Sequence, residues 1–323
     1  MQNKRVDINF FPGFTRKSVT FSIDDGNIPM DTKFLSIVRP AGILGTFNLC
    51  SHWTDKMSPE EYREFYRGYE IANHCKYHPQ VFSDTMRFVI SDEKFDPMGG
   101  EDYTGANPVV YKTGIEDELY ILHGNPKNIR PRGWSNYCTA DNYIRHVENG
   151  RRELEEIFGE GSVTGFVYPY GRQGNTRVRE YLYASDYYSV RKTGTLLDST
   201  GFAMPADRKE WTYNATHSSL LSLMETYEKY PDDGELKFFC FGVHSVDFET
   251  GNKWDDLAAF AEKYGGRPSE FYYATVRDIM AQEDAIRAAE VTDAEVKNNS
   301  DLTLYALIDG KRVEIAPHTA IAI

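Results

Sequence analysis

The sequence has no apolar run long enough to cross a membrane and no Cys-x-x-Cys pair. Its only cysteines are Cys50, Cys75, Cys138 and Cys240. Two of them fall in or beside apolar, strand-like stretches, so buried reduced thiols are expected and a disulfide framework is not. Positive charge is short: 36 Lys and Arg stand against 49 Asp and Glu, a net charge of −13. That balance argues against nucleic acid and anionic membranes as partners. Internal repeats and low-complexity runs are absent. No secretory signal is visible, because the stretch from Met1 to Phe14 is polar and mixed. A cytoplasmic location is therefore expected, with secretion following only if a leader has been removed.

What is present suits a soluble globular protein. The 323 residues are 41% hydrophobic and 26% charged, enough for one large α/β domain or two ordinary ones. The 22 Tyr and 19 Phe suit a sugar-binding surface and an ordinary core equally, so they decide little. More telling is the stretch Ser18-Val19-Thr20-Phe21-Ser22-Ile23-Asp24-Asp25-Gly26. Val19, Phe21 and Ile23 alternate with small polar residues, the period of a strand. The strand ends in two adjacent acids, which repel each other unless something binds them. A simple turn needs only one Asp.

Strand and helix patterns alternate along most of the chain. Strands are expected at 45–49, 70–73, 163–168, 187–191, 237–243 and 271–274. Helices are expected at 29–38, 58–67, 139–158, 175–184, 218–230, 254–264 and 275–289. Ser58-Pro59-Glu60-Glu61 is a well-formed helix start, with a Ser cap, Pro in the first turn and acids beside the dipole. This alternation predicts a parallel sheet or barrel. Residues 85–137 break it with scattered Gly and Pro, and read as a functional insertion with short strands near 109–111 and 119–122. At the end, 302–308 and 311–315 flank Asp309-Gly310, a two-residue hairpin signal. The expected division is a barrel domain over 1–290 and a small β-appendage over 291–323.

The polar residues fall where strands end. Asp24 and Asp25 follow the first strand, and Asn73-His74-Cys75-Lys76-Tyr77-His78-Pro79 follows the third. Tyr168-Pro169-Tyr170-Gly171, Arg191 and Gly242-Val243-His244-Ser245 follow later ones. In α/β sheets and barrels the carboxyl ends of strands form the site. His74 and His78 are four apart, a spacing that in a helical turn sets both imidazoles on one face. Alone, that pair is most often two surface histidines. With one of the two acids it makes a three-ligand metal centre with room for water, leaving the other acid as a base.

These motifs, Asp24-Asp25-Gly26, His74-x-x-x-His78-Pro79, Tyr168-Pro169-Tyr170-Gly171 and a late His244, resemble in order and spacing the polysaccharide deacetylases of the NodB-homology group, carbohydrate esterase family 4. The resemblance covers about residues 16–280 outside the insertion. It implies an α/β fold, a distorted (β/α) barrel, here with an insertion after the histidine motif and a C-terminal hairpin. It implies Asp24 as general base, Asp25, His74 and His78 as metal ligands, His244 as general acid, and a Tyr170 backbone N–H near the oxyanion. Two departures stand out. Ser22-Ile23 precede Asp24 where the family has Thr-Phe. Val167-Tyr168-Pro169-Tyr170 lacks the arginine that holds the base; Arg191, on the next strand, is the candidate substitute, its plain alternative being a surface ion pair.

The resulting expectation is a metal-dependent hydrolase that removes acetyl groups from N-acetylated amino sugars. Tyr168, Pro169, Tyr170, Trp211 and His217 are candidate substrate contacts, with core packing the alternative for Trp211 and helix capping for His217. One divalent ion is implied, zinc first, while Co, Ni, Fe and Mn accept the same donors. The partner is an acetylated carbohydrate or a small amide, and the 85–137 insertion either narrows the cleft or mediates oligomer contact. The same chemistry on a cyclic amide or ureide, as in an allantoinase, is the alternative. An Fe(II) oxygenase and a non-catalytic carbohydrate-binding protein are further readings, opposed respectively by the second acid and by the complete set of Asp24, Asp25, His74, His78 and His244.

Overall fold

The computed structural model describes residues 6–54, 56–85, 89–91, 109–112, 120–123, 136–195 and 201–323. Seven parallel strands, Lys17–Asp25, Gly45–Leu49, Glu70–Asn73, Gly165–Val167, Ser189–Thr195, Trp211–Tyr213 and Lys237–His244, lie side by side in chain order. The seventh pairs with the first along its whole length, from Lys237 against Lys17 to His244 against Asp24. The sixth meets the seventh through the Ala215–Phe241 bridge, with Asn214 N–H donating to Cys240 O at 2.8 Å and Gly242 N–H to Ala215 O at 2.9 Å. The sheet is thus a nearly closed seven-stranded barrel, an α/β fold. The sixth strand has only three residues, too short to register as a period-2 pattern in the sequence.

The alternation seen in the first strand sorts its two faces. Val19, Phe21 and Ile23 pack with Phe239, Phe241 and Val243 of the seventh strand under helices α1 (Ile28–Val38) and α2 (Trp254–Tyr264). Phe21 stacks on Phe241 at 4.7 Å and meets Phe260 edge-on at 5.7 Å. The opposite face carries Ser18, Thr20, Ser22 and Asp24 into the barrel. A small barrel fills its own interior with side chains, so Asp24 is the last rung of an internal polar column, at the end where the strands point. The other end is closed by the helix Val276–Arg287, whose Val276 N–H donates to Thr46 Oγ1 at 3.1 Å and Arg277 N–H to Glu70 Oε2 at 3.0 Å.

Both ends of the described chain build onto that closed end. Val6–Asp7 pairs with Leu304–Ile308, which turns at Asp309-Gly310 into Lys311–Ile315; both turn residues have positive φ, 50° and 79°, as a two-residue hairpin requires. Val296, Leu304, Ala306 and Ile315 share one apolar core with Ile279 and Met280 of the closing helix and with Phe238 inside the barrel. The insertion contributes to a separate five-stranded sheet that includes Val109–Lys112 and Tyr120–His123, where strands were expected; the rest of 85–137 lies outside the described residues apart from Val89–Ser91, Asn136–Cys138 and the turn at its start. Among the described residues no helix is long and apolar enough to cross a membrane. All four cysteines are buried free thiols.

One buried acid makes stability depend on pH. Asp31 in α1 is 0% exposed and accepts a hydrogen bond from Tyr66 Oη at 2.8 Å. Burial pushes its carboxyl up to about 6, against the pull of the Tyr66 hydroxyl. Between about pH 4 and pH 6 the folded chain keeps a proton that the unfolded chain has released, so stability falls as pH rises through that window and then levels off. Asp31→Asn removes this dependence. It should gain up to about 3 kcal/mol on the wild type at pH 8 relative to its effect at pH 4. Denaturation curves of both proteins at the two pH values check this; parallel pH profiles would contradict it.

Candidate active site

The barrel register brings three polar tips together at once. Asp24 lies beside His244 on one side and beside Asn48 on the other. Arg191, the third residue of the fifth strand, Ser189–Thr195, and not at its tip as expected, reaches across and places Nη2 at 2.5 Å from both carboxylate oxygens of Asp24. Asn48 Nδ2 donates to Asp24 Oδ1 at 2.7 Å and to Ser22 Oγ at 2.9 Å. Burial pushes the Asp24 carboxyl up, but Arg191, helped by His244, outweighs it and holds the acid at about 2. Asp24 is therefore a buried carboxylate, ionised at neutral pH, with its orientation fixed by two donors.

Asp25 turns the other way because its φ is +82°, left-handed for a residue with a side chain. Its Oδ1 lies 3.5 Å from Nε2 of His74 and 3.5 Å from Nε2 of His78, and the two Nε2 atoms are 3.1 Å apart. The histidine loop differs from the helical turn expected. Residues 74–79 form no helix, and Cys75 and His78 both have positive φ, 67° and 53°. The Asn73 side chain bends the chain instead, accepting from Cys75 N–H at 2.9 Å. The loop then packs so tightly on the helix Ala140–Phe158 that a Cβ at Gly150 would sit 2.6 Å from Asn73 Oδ1. Asp25, Cys75, His78 and Tyr170 are thus four non-glycine residues in left-handed conformation around one site, the clustering that strained functional loops show.

Whether this trio suits a cation follows from its protons. His74 Nδ1 lies 2.8 Å from the Val167 carbonyl, which needs a proton there and leaves Nε2 a bare lone pair. Burial lowers the pKa of His74, and burial above all holds His78 down to about 2, so both rings are neutral. Asp25 Oδ1 is buried without a hydrogen-bond partner, and burial raises its pKa. A proton on His78 Nε2 would satisfy His74 and leave Asp25 Oδ1 with nothing. A divalent cation satisfies all three, and Asp25, His74 and His78 form the group whose ligand atoms lie within 4.8 Å of one another. Two imidazoles and one carboxylate suit zinc, and also cobalt, nickel, iron and manganese.

His244 faces the trio from the other side, with Nε2 3.8 Å from Asp25 Oδ2. Asp247, three residues on, accepts from the His244 backbone N–H at 2.9 Å and lies 3.0 Å from Nδ1. Burial lowers the imidazole's pKa, but Asp247, with the charges of Asp24 and Asp25, raises it to about 9. Asp247 went unrecognised in the sequence, although an acid at the third position after a helix cap is a capping signal. Asn48, Trp53 and Tyr213 also went unrecognised.

Asp24, Asp25, Trp53, His74, His78, Arg191, Tyr213 and His244 line one cleft of about 710 Å³, with Asn48 and Asp247 behind this lining. Tyr168 is buried in its wall and Tyr170 is 42% exposed at the mouth, 4.4 Å from the His78 ring, while Pro169 between them is buried and, unlike the expectation, not part of the lining. Trp53 stacks against the same imidazole at 6.0 Å. Trp211 is not at the mouth as expected. It lies one step below Tyr213 inside the barrel, 4% exposed and edge-on to Phe238, so Tyr213 takes the cleft position instead. His217 also stays out of the cleft lining, behind Asp247, with Nδ1 3.6 Å from Oδ2.

No curated protein sequence matches the chain. Solved structures do. The Xyl-CE4 domain of a multidomain xylanase from the hindgut metagenome of Trinervitermes trinervoides is 14% identical over 84% of this chain and 93% of that one, with a TM-score of 0.45. A family 4 acetyl xylan esterase from Clostridium thermocellum, solved with a cobalt ion, is 12% identical over 83% and 92%, with a TM-score of 0.43. A peptidoglycan deacetylase from Bacillus subtilis is 12% identical over 84% and 95%, again at 0.43. The polysaccharide deacetylase family model matches residues 12–190, more than half of the sequence, and the chain belongs to that family.

Proposed function

We propose that this protein is a metal-dependent hydrolase that removes acetyl groups from N-acetylated amino sugars. The observation that carries the reading is a division of charge around one cleft: Asp24 is held ionised by Arg191, and His244 is held protonated by Asp247, with the cation-seeking trio between them. Asp25, His74 and His78 would hold the divalent ion, which when bound supplies Lewis acidity toward the acetyl carbonyl and an attacking water.

The chain's own residues supply the rest. Asp24 accepts the proton of the attacking water, a role that needs an ionised carboxylate in a fixed orientation. His244 donates a proton to the departing nitrogen, because an amide anion leaves poorly, and Asp247 holds the imidazole by Nδ1 so that Nε2 faces the substrate. Trp53 and Tyr170 offer ring faces at the mouth on which a sugar ring can pack. Arg191 stands where the missing motif arginine would be needed, against Asp24, and this favours the sugar reading over a cyclic amide. The test is acetate release from a panel of acetylated sugars, an aryl acetate and a cyclic ureide, with and without a chelator. Chelator-sensitive acetate release from the sugars is expected; turnover of the ureide alone would replace the sugar reading.

A further inference from the structure

Arg191 is only half engaged. Nη2 holds Asp24, but Nε and Nη1 are buried and have no hydrogen-bond acceptor among the described residues. The residue is 2% exposed. Idle donors on a buried guanidinium cost free energy, and they invite the group to rotate toward any acceptor that offers. What covers this guanidinium is a ring: Arg191 Cζ lies over Tyr213, 5.3 Å from the centroid. An aromatic face attracts a cation in that position, most strongly where water is excluded.

A glycine on the neighbouring strand fixes where the ring sits. A Cβ at Gly242 would stand 2.1 Å from Tyr213 Cδ1 and 2.3 Å from Cγ. Those atoms are at the root of the ring, so the side chain cannot swing aside and keep its place. The backbone at Gly242 does not itself call for glycine. Its φ is not positive, it stays in register with Ser22, and its N–H donates normally to Ala215. The three atoms nearest to such a Cβ all belong to the Tyr213 ring.

We infer that Tyr213 is a positioning residue: its ring, seated in the notch that Gly242 leaves, holds the Arg191 guanidinium in the one orientation that keeps Nη2 on Asp24. The rate consequence rests on the hydrolytic reading of the site; the packing does not. Tyr213→Phe keeps the ring and should keep kcat within about twofold, whereas Tyr213→Ala should lose about 10²-fold in kcat, with KM changing far less. Gly242→Ala should lose a similar amount, by displacing the ring. Added to Tyr213→Ala, the same change should cost little more, since the two act through one contact. Independently of turnover, phenylglyoxal should modify Arg191 in Tyr213→Ala and Gly242→Ala, and spare it in the wild type and in Tyr213→Phe, as read by peptide mass. Additive losses in the double variant, or an Arg191 equally protected in every variant, would overturn the inference. If the wild type releases no acetate, the hydrolytic reading falls and the labelling alone decides this one. If Tyr213→Ala fails to fold, Gly242→Ala and Tyr213→Leu carry the labelling.

Discussion

Replacing His78 with Ala should strip most of the bound metal from the protein and leave only a trace of acetate release, while the barrel stays folded. Of the three ligand candidates, His78 is the one whose loss least disturbs the fold. His74 is fully buried and tied through Nδ1 to the Val167 carbonyl, so cutting it back also leaves a buried acceptor unpaired on the fourth strand. Asp25 sits at the end of the first strand and carries its +82° φ into Gly26. His78 instead lies on the loop, partly exposed, and its contacts are to His74, Trp53 and Tyr170 at the cleft. Alanine there removes one neutral nitrogen from a set of two nitrogens and one oxygen. Even outer-shell changes at such sites weaken metal binding by about 10- to 100-fold, so loss of a direct ligand should exceed that. Elemental analysis of the purified variant, alongside its thermal transition, gives the answer. Full metal occupancy in a folded His78→Ala protein would remove the trio from consideration as the metal site.

The parts of this protein that were legible in the sequence are those set by local periodicity. Val19, Phe21 and Ile23 announced the strand, and Ser58-Pro59-Glu60-Glu61 announced a helix whose capping box is present with both bonds formed. The acids and histidines were legible because they cluster at strand ends, where a barrel gathers its polar groups. What was not legible depends on register between strands far apart in sequence. Asn48 touches Asp24 only because Gly45–Leu49 pairs with the first strand so that those two residues are opposite. Whether Trp211 or Tyr213 reaches the cleft depends on how far up the barrel a three-residue strand begins, and composition carries no trace of that. The histidine loop was misjudged for a different reason. A spacing of four is compatible with a helix, but the Asx bend at Asn73 and two left-handed residues bring the same two rings together without one.

Asp24→Asn should keep its metal and lose on the order of 10²-fold or more in turnover, the usual worth of a positioned base. The amide is the same size and can still accept from Arg191 and Asn48, but it cannot take a proton from water. His244 carries the complementary duty, and its signature is different. An aryl acetate expels a phenolate, which needs little help from an acid, whereas an acetamide must have its nitrogen protonated. His244→Ala should therefore spare aryl acetates and cripple acetamides. The pH dependence follows from the same two groups. Asp24 at about 2 is ionised throughout the working range, so the loss of activity on the alkaline side belongs to His244 giving up its proton, at about 9 or below. A dication held by Asp25 opposes the charge on His244 and moves that limb downward. Asp247→Asn withdraws the main group that raises the imidazole, so the alkaline limb of kcat/KM for acetamides should shift further toward lower pH, while the limb for aryl acetates hardly changes. If His244→Ala slows both substrates alike and Asp247→Asn leaves the alkaline limb where it was, then His244 binds substrate and does not protonate it, and the acid lies elsewhere in the cleft.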